Sequence, residues 1–223
     1  MVVVATSDQP ALARIRAAHA AVAIAEDFRD RGRQVVLTMD SITRLAMARR
    51  EVGLASGEPP TARGYTPSVF AEIPELCERC GTADSGGSIT ALLTVLVEGD
   101  DFNEPVSDLL RATLDGHIVL TRRLAQMAQF PAIDVLESTS RVMGDLVSRD
   151  ERGTAQAVSK ILSLLQQNRP LVDIGAYVAG TNPSLDKALA LEPSLRRFLE
   201  QAEGGVPRAQ ALRELAGLLG ALA

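Results

Sequence analysis

The sequence predicts an α/β protein, in which a parallel sheet with flanking helices is followed by an all-helical carboxyl-terminal region. Up to about residue 144, short apolar runs alternate with helical patterns, which is typical of strands joined by helical crossovers. Beyond that point apolar residues recur at helical spacing, and 46% of the 223 residues are apolar, enough for a packed core. We therefore divide the chain into residues 1–145 and residues 146–223.

The individual elements follow from the apolar runs and their flanking residues. The runs VVVAT and VVLTM, at residues 2–6 and 35–39, predict strands that are buried on both faces. Between them, Pro10 marks a helix start and Gly32 a helix end. The other predicted elements are helices at 42–52, 68–79 and 105–112, strands at 88–97 and 116–120, a helix ending near 128, and a Gly- and Pro-rich loop at 53–67.

The second region is predicted to be several short helices. Its apolar residues recur at helical spacing, and four prolines interrupt the pattern. These prolines are Pro170, Pro183, Pro193 and Pro207.

Composition excludes several classes of function. A net charge of −5 and a content of only 3% aromatic residues argue against a nucleic-acid binder. The apolar runs are far shorter than the roughly 20 residues of a membrane span, and two cysteines make no disulfide framework, so we expect a cytoplasmic protein. Because residues 1–159 contain no Lys, they cannot hold a phosphate-binding loop of the form GxxxxGK[ST].

Asp40 is the sharpest local candidate for chemistry, because it directly follows the predicted strand VVLTM. Ligands of open α/β sheets bind at this edge, and phosphate-loop enzymes use such an Asp to hold Mg²⁺ on a nucleotide. The same Asp could instead cap the helix that follows it. This segment alone leaves both interpretations open.

Six longer stretches keep a fixed order and spacing over about residues 2–201. They are AEDFRDRGRQVVLTMDSITRLAMARREVGLASGEPP, RGYTPSVFAEIPELCERCG, GGSITALLTVLVEGDDFNEP, LDGHIVLTRRLA, QFPAIDVLESTSRVM and NRPLVDIGAYVAGTNPSLDKAL. In these stretches the chain resembles the rotary ATPase family, most of all the ATPases of flagellar and type III protein export, and next the catalytic subunit of ATP synthase. The resemblance implies a partial RecA-like sheet followed by a helical domain.

The resemblance also implies a site for ATP and Mg²⁺. Asp40 matches the family's aspartate that holds Mg²⁺ through water, and Arg44 matches an arginine near the γ-phosphate. A surface ion pair between these two residues is the alternative, and the sequence leaves both interpretations open. Arg141 matches the arginine finger, which reaches into the active site of the neighbouring subunit. Phe130 and Phe198 match aromatic residues that pack on the adenine ring, although ordinary core packing is the stronger interpretation for Phe198.

The family further implies an assembly and partners. The intact enzyme is expected to form a homohexameric ring around a central coiled-coil stalk, to meet chaperone–substrate complexes, and to lie on the cytoplasmic side of the inner membrane, peripheral to an export gate. The acidic residues at 98–101 match a loop that faces the stalk. A merely solvated acidic turn is the alternative for this loop.

The family's phosphate loop and catalytic Glu precede the first strand found here. We therefore expect a carboxyl-terminal part of an export ATPase, inactive on its own, whose full-length form couples ATP hydrolysis to chaperone release, unfolding and export of substrates. Two alternatives remain. One is the catalytic subunit of a rotary ATP synthase, and the other is a non-catalytic, truncated relative that supplies only Arg141.

The pair Cys77 and Cys80 has the spacing of half a zinc site, which His19 and His117 could complete. The sequence offers no second pair at finger-like spacing, and the two cysteines fall at a predicted helix. We therefore expect two partly buried thiols without a metal.

Overall fold

The computed structural model, which describes residues 1–201 and 204–220, contains two compact units. They comprise residues 1–114 and residues 115–223. The predicted boundary between residues 145 and 146 lies inside the second unit and stays a prediction. The end of the predicted helical domain, residues 221–223, lies outside the described residues, as do residues 202 and 203.

The first unit is built on a small sheet with the strand order β1-β3-β2. β1 and β3 are parallel, with a register that runs from Gln34 opposite Ser88 to Met39 opposite Leu93, whereas β2 is antiparallel to β3. The elements of this unit are α1 (Ala11–Asp30), β1 (Gln34–Met39), α2 (Ile42–Ala55), α3 (Pro67–Glu78), β2 (Gly81–Thr82), β3 (Ser88–Leu93) and α4 (Pro105–Thr113), with 3₁₀ turns at Ala62–Gly64 and Glu98–Asp100.

Only one face of the parallel pair is covered by helices. Leu37, Met39 and Leu93 pack against the buried side chains of the helices, while Val36 and Leu92 on the opposite face are 69% and 53% exposed. The expectation that the strand at 35–39 is buried on both faces is therefore wrong in this structure. The apolar side chains of the second face are exposed because, among the described residues, no element covers them.

Residues 2–6, which we expected to be a buried strand, form no strand. Val2 and Val4 are 84% and 72% exposed. An apolar run becomes a strand only when a neighbouring strand bonds its backbone N–H and C=O groups. Among the described residues, the sheet contains only β1, β3 and β2, and none of these strands forms backbone hydrogen bonds with residues 2–5.

The second unit begins with a two-stranded antiparallel sheet and continues as helices. The antiparallel pairing of β4 with β5 corrects the expectation of parallel strands throughout, and β5 itself was not predicted because its second half is polar. The elements are β4 (Gly116–Leu120), α5 (Arg122–Gln126), β5 (Ile133–Ser140), α6 (Met143–Leu146), α7 (Arg149–Asp173), α8 (Pro183–Leu199) and α9 (Arg208–Gly220).

The helices of this unit are longer than the proline spacing predicts. α7 has 25 residues with Pro170 in its last turn, and α8 has 17 residues with Pro193 in its interior. Leu191 and Leu195, on either side of Pro193, are buried against Val158 of α7. This packing offsets the backbone hydrogen bond that an interior proline removes. In the described part of the chain, no helix combines the length and hydrophobicity that crossing a membrane requires.

Candidate functional site

The carboxylate of Asp40 lies at the carboxyl end of β1 and is held by Thr94, the residue that directly follows β3. β1 ends at Met39, so the chain presents Asp40 at the sheet edge where ligands of α/β folds bind. The Thr94 hydroxyl donates a hydrogen bond to Asp40 Oδ1 at 2.8 Å. Sequence reasoning did not single out Thr94. The signal was its polar side chain in the apolar run SITALLTVLV at residues 88–97. The strand predicted over this run ends earlier, at Leu93, and Thr94 is the next residue.

Ser41, not Asp40, caps the helix that follows. Its buried Oγ accepts a hydrogen bond from the Arg44 N–H at 3.3 Å, which satisfies one of the free N–H groups of the first turn of α2. The interpretation of Asp40 as the helix cap is therefore wrong. The Asp40 carboxylate remains exposed at the strand end.

Asp40 and Arg44 line the same open pocket, beside Ser41 and Arg14. The Arg44 side chain is exposed, and among the residues that the structure describes, Arg44 and Asp40 form no ion pair with each other. Arg14 donates to Glu51 across 2.8 Å. The pocket thus combines a carboxylate, which suits a hydrated divalent cation, with a guanidinium, which suits phosphate oxygens.

Arg141 lies in the second unit, directly after β5, and is exposed. Its backbone N–H donates to the carbonyl of Asp115 at 2.7 Å, next to the start of β4. Gly116 allows this close approach, because a Cβ at that position would lie 2.5 Å from the Thr139 carbonyl oxygen. The end of the antiparallel β4–β5 pair therefore fixes the backbone at which the Arg141 side chain begins.

The two candidate adenine-contacting residues lie near one another along the second unit. Phe130 is 56% exposed in the loop before β5, where the Phe130–Pro131 bond is cis. Its carbonyl accepts a hydrogen bond from the Gln201 N–H at 2.8 Å, and Gln201 follows the end of α8. Phe198 is half-buried in the last turn of that helix, so the structure brings the Phe130 loop to the helix end that contains Phe198.

The acidic segment 98–101 contains a 3₁₀ turn in the first unit. Asp101 forms an ion pair with Arg63, which ties the segment to the 3₁₀ turn at Ala62–Gly64. Glu98 and Asp100 are exposed. The turn therefore presents negative charge at the surface.

Within the described residues no cluster of three or more potential metal ligands is found. Cys77 is buried in α3, and burial raises the pKa of its thiol to about 11, while burial also raises the pKa of Cys80. Instead of facing the cysteines, His19 contacts Glu72 at 2.7 Å. Thiols of this kind are protonated at neutral pH and have the character of packed side chains.

The fold and the site together define an α/β protein with a carboxylate placed where such folds bind ligands. The chain belongs to the ATP synthase alpha/beta family, because the nucleotide-binding domain of that family matches residues 1–140. The C-terminal domain of the type III secretion ATPase EscN matches residues 147–217. The predicted family and the predicted fold class, α/β followed by helices, are therefore confirmed.

Individual relatives agree with this assignment. The chain is 55% identical to the flagellum-specific ATP synthase of Bacillus subtilis over 201 residues, which are 90% of this chain and 46% of that protein. The assembled ATPase EscN of the enteropathogenic E. coli type III secretion system matches with a TM-score of 0.93 and 44% identity, over 96% of this chain and 52% of that one.

EscN in complex with its central stalk EscO matches with a TM-score of 0.88 and 43% identity, over 96% of this chain and 51% of that chain. The chain therefore spans about half the length of the relatives that it matches.

Proposed function

We propose that this chain is the carboxyl-terminal part of an ATPase that drives protein export, either flagellar or through a type III secretion system. The observation that supports this most strongly is that the chain matches export ATPases at 44–55% identity across both units. The match of the helical region to the EscN C-terminal domain favours an export ATPase over the catalytic subunit of an ATP synthase.

The geometry of the first unit supports nucleotide binding at Asp40 and Arg44. Asp40 has an exposed carboxylate with Oδ1 held by Thr94, and it would contact Mg²⁺ through bound water. Arg44, in the same pocket, would contact the γ-phosphate of ATP. When bound, Mg²⁺ neutralises the charge of the phosphates. The role of the protein groups is to orient the ion and the terminal phosphate.

Arg141 would act as an arginine finger for a neighbouring subunit in a homohexameric ring. Phosphoryl transfer increases the charge on the equatorial oxygens, and a guanidinium stabilises this charge with paired hydrogen bonds. The exposed position of Arg141 after a strand fits such a role. Phe130 and Phe198 would pack on the adenine ring.

We further propose that residues 1–223 alone bind ATP poorly, because residues 1–159 contain no Lys for a phosphate loop. Titration of the isolated chain with MgATP would then give no micromolar affinity, and a micromolar dissociation constant would contradict this part of the proposal. A non-catalytic relative that only contributes Arg141 to a ring is the alternative, and the ring experiment below separates it from the proposal.

The relatives suggest the partners. EscN assembles and binds a central stalk, and we propose that a basic coiled coil contacts this chain's exposed acidic turn at Glu98–Asp100. Chaperone–substrate complexes would meet the helical region, and the enzyme would work on the cytoplasmic side of the inner membrane, beside the export gate.

A chimera provides the test, in which the preceding half of the Bacillus subtilis relative is joined to residues 1–223. We expect it to hydrolyse ATP. Asp40→Asn should abolish most turnover, and Arg141→Ala should lower kcat by roughly 10³- to 10⁵-fold, equal to about 4–7 kcal/mol. ATP affinity should change little in the Arg141 variant, since the finger acts on the transition state.

Mixing the Asp40→Asn and Arg141→Ala variants tests whether Asp40 of one subunit and Arg141 of its neighbour act at the same active site. In randomly mixed rings, about a quarter of the interfaces would pair an intact Asp40 with an intact Arg141, so turnover should recover towards that fraction. The control mixes Arg141→Ala with the double variant, which leaves no intact Arg141. An inactive chimera, or no recovery in the first mixture, would refute the proposed shared site.

A further inference from the structure

Thr94 holds the backbone around Asp40 through three separate hydrogen bonds. Its N–H donates to the Met39 carbonyl at 3.0 Å, and its own carbonyl accepts from the Ile42 N–H at 3.0 Å. Its hydroxyl donates to Asp40 Oδ1 at 2.8 Å. Thr94, the residue that directly follows β3, thus bonds to Met39 and Ile42 on either side of Asp40 and to the Asp40 carboxylate itself.

The hydroxyl bond has a different role from the two backbone bonds. The backbone bonds fix where the Asp40 main chain runs, and they do not depend on the side chain at position 94. The carboxylate can still rotate about its terminal torsion, which has broad energy minima. Both side chains are exposed, so neighbouring side chains do not enclose the carboxylate, and the Thr94 hydroxyl is the group that sets its plane.

We propose that Thr94 is a positioning residue for the Asp40 carboxylate. The hydroxyl occupies Oδ1, turns Oδ2 in a defined direction, and leaves that oxygen free to accept a hydrogen bond from a water on the divalent cation of the nucleotide. The Met39 carbonyl is 3.4 Å from the same hydroxyl, so the carboxylate at 2.8 Å is its main partner. The inference rests on the proposed role of Asp40 in the first unit.

The test uses the chimera described above with three substitutions on β3 and its extension. Thr94→Val keeps the shape and both backbone bonds but removes the hydroxyl, and Thr94→Ser restores it. Thr90→Val is the matched control, since Thr90 lies on the same exposed face of β3. Turnover is measured as a function of Mg²⁺ concentration, with thermal unfolding of each variant as a check on folding.

We expect Thr94→Val to lower kcat by about tenfold and to raise the Mg²⁺ concentration for half-maximal turnover, because a hydrogen bond to a charged acceptor is lost. Thr94→Ser should be close to the unsubstituted chimera, and Thr90→Val should match it. In an Asp40→Asn background, Thr94→Val should cause no further loss, since the hydroxyl acts through the carboxylate.

The outcomes separate this inference from the proposed function. If the chimera is inactive or Asp40→Asn leaves turnover unchanged, the proposed function fails and the inference fails with it. If Asp40→Asn removes turnover while Thr94→Val behaves like Thr90→Val, the inference alone is overturned. A loss in Thr94→Val that Ser does not restore, or that leaves the Mg²⁺ dependence unchanged, would also overturn it, because a structural defect would then explain the loss.

Discussion

Gly116→Ala tests how closely β4 must approach the end of β5. A Cβ at Gly116 would lie 2.5 Å from the Thr139 carbonyl oxygen and 3.1 Å from Ser140 Cα, so the strands must separate by roughly half an ångström to admit it. Such overpacking costs about 1–3 kcal/mol. Alanine in a strand recovers about 0.5–1 kcal/mol of this cost relative to glycine. The difference between these two ranges reaches at most about 2.5 kcal/mol, and their middle values predict a net destabilisation of about 1 kcal/mol.

The matched control is Gly153→Ala, in the same unit. Gly153 is an exposed residue of α7, and a Cβ there would meet nothing within 4 Å. This substitution should stabilise the protein by about 0.5–1 kcal/mol, because alanine favours the helix. The two changes are chemically identical, so opposite signs would isolate the contact at Thr139 as the cause.

Thermal unfolding followed by circular dichroism measures both variants. For a unit of about 100 residues, 1 kcal/mol corresponds to roughly 4–8 °C in Tm, so Gly116→Ala should lower the Tm and Gly153→Ala should raise it. Hydrogen exchange at the Arg141 amide, which is bonded to the Asp115 carbonyl, should quicken in Gly116→Ala alone. A Tm for Gly116→Ala equal to or above that of the unsubstituted chain would refute the steric reasoning.

Three further predictions concern other parts of the chain. Ser148 caps α7 in a capping box, so Ser148→Ala should destabilise the protein by about 1 kcal/mol, measured by urea unfolding. The hydrogen bonds from Arg79 lower the pKa of Glu26 below its usual 4.5. This pair therefore stabilises the protein above pH 4.5, by less than about 1 kcal/mol, and the stabilisation is lost as the pH falls through the lowered pKa. Glu26→Gln should reduce the dependence of the free energy of unfolding on pH in the acid range. A thiol reagent at pH 7 should label Cys80 before Cys77, because Cys77 is the more buried and its pKa is raised to about 11. Mass spectrometry of partly labelled protein measures the order, and labelling of Cys77 first would contradict the prediction.

Sequence patterns predicted the elements whose signals are local. The strand predicted at 35–39 is found as β1, which ends at Met39 directly before Asp40. The helix predicted to end near Gly32 is found as α1, with Gly32 at a φ of 76°. Both have an apolar run or face and a clear stop residue. The length of α8 was not predictable in this way, because tertiary packing of Leu191 and Leu195 outweighs the local effect of Pro193.

Long-range pairing accounts for what local patterns did not reveal. Residues 2–6 have a strand-like composition but no partner strand among the described residues, and β5 is half polar yet pairs with β4. At the candidate site the sequence indicated Asp40, while the bond from Thr94 joins residues that lie 54 positions apart. A contact of this kind depends on which strands become neighbours, and no local motif specifies that.

The candidate residues of the two units depend on different structural features, and substitutions at them should therefore behave differently. In the first unit the main chain around Asp40 is held by backbone hydrogen bonds to Thr94, which the substitutions Asp40→Asn, Thr94→Val and Thr94→Ser leave in place. Effects of Asp40 or Thr94 variants on turnover thus report the chemistry of the side chains. In the second unit the backbone at Arg141 depends on the absence of a side chain at Gly116. Because a displacement of about 1 Å can cost about 100-fold in rate, Gly116→Ala should reduce the turnover of the chimera even where the protein stays folded.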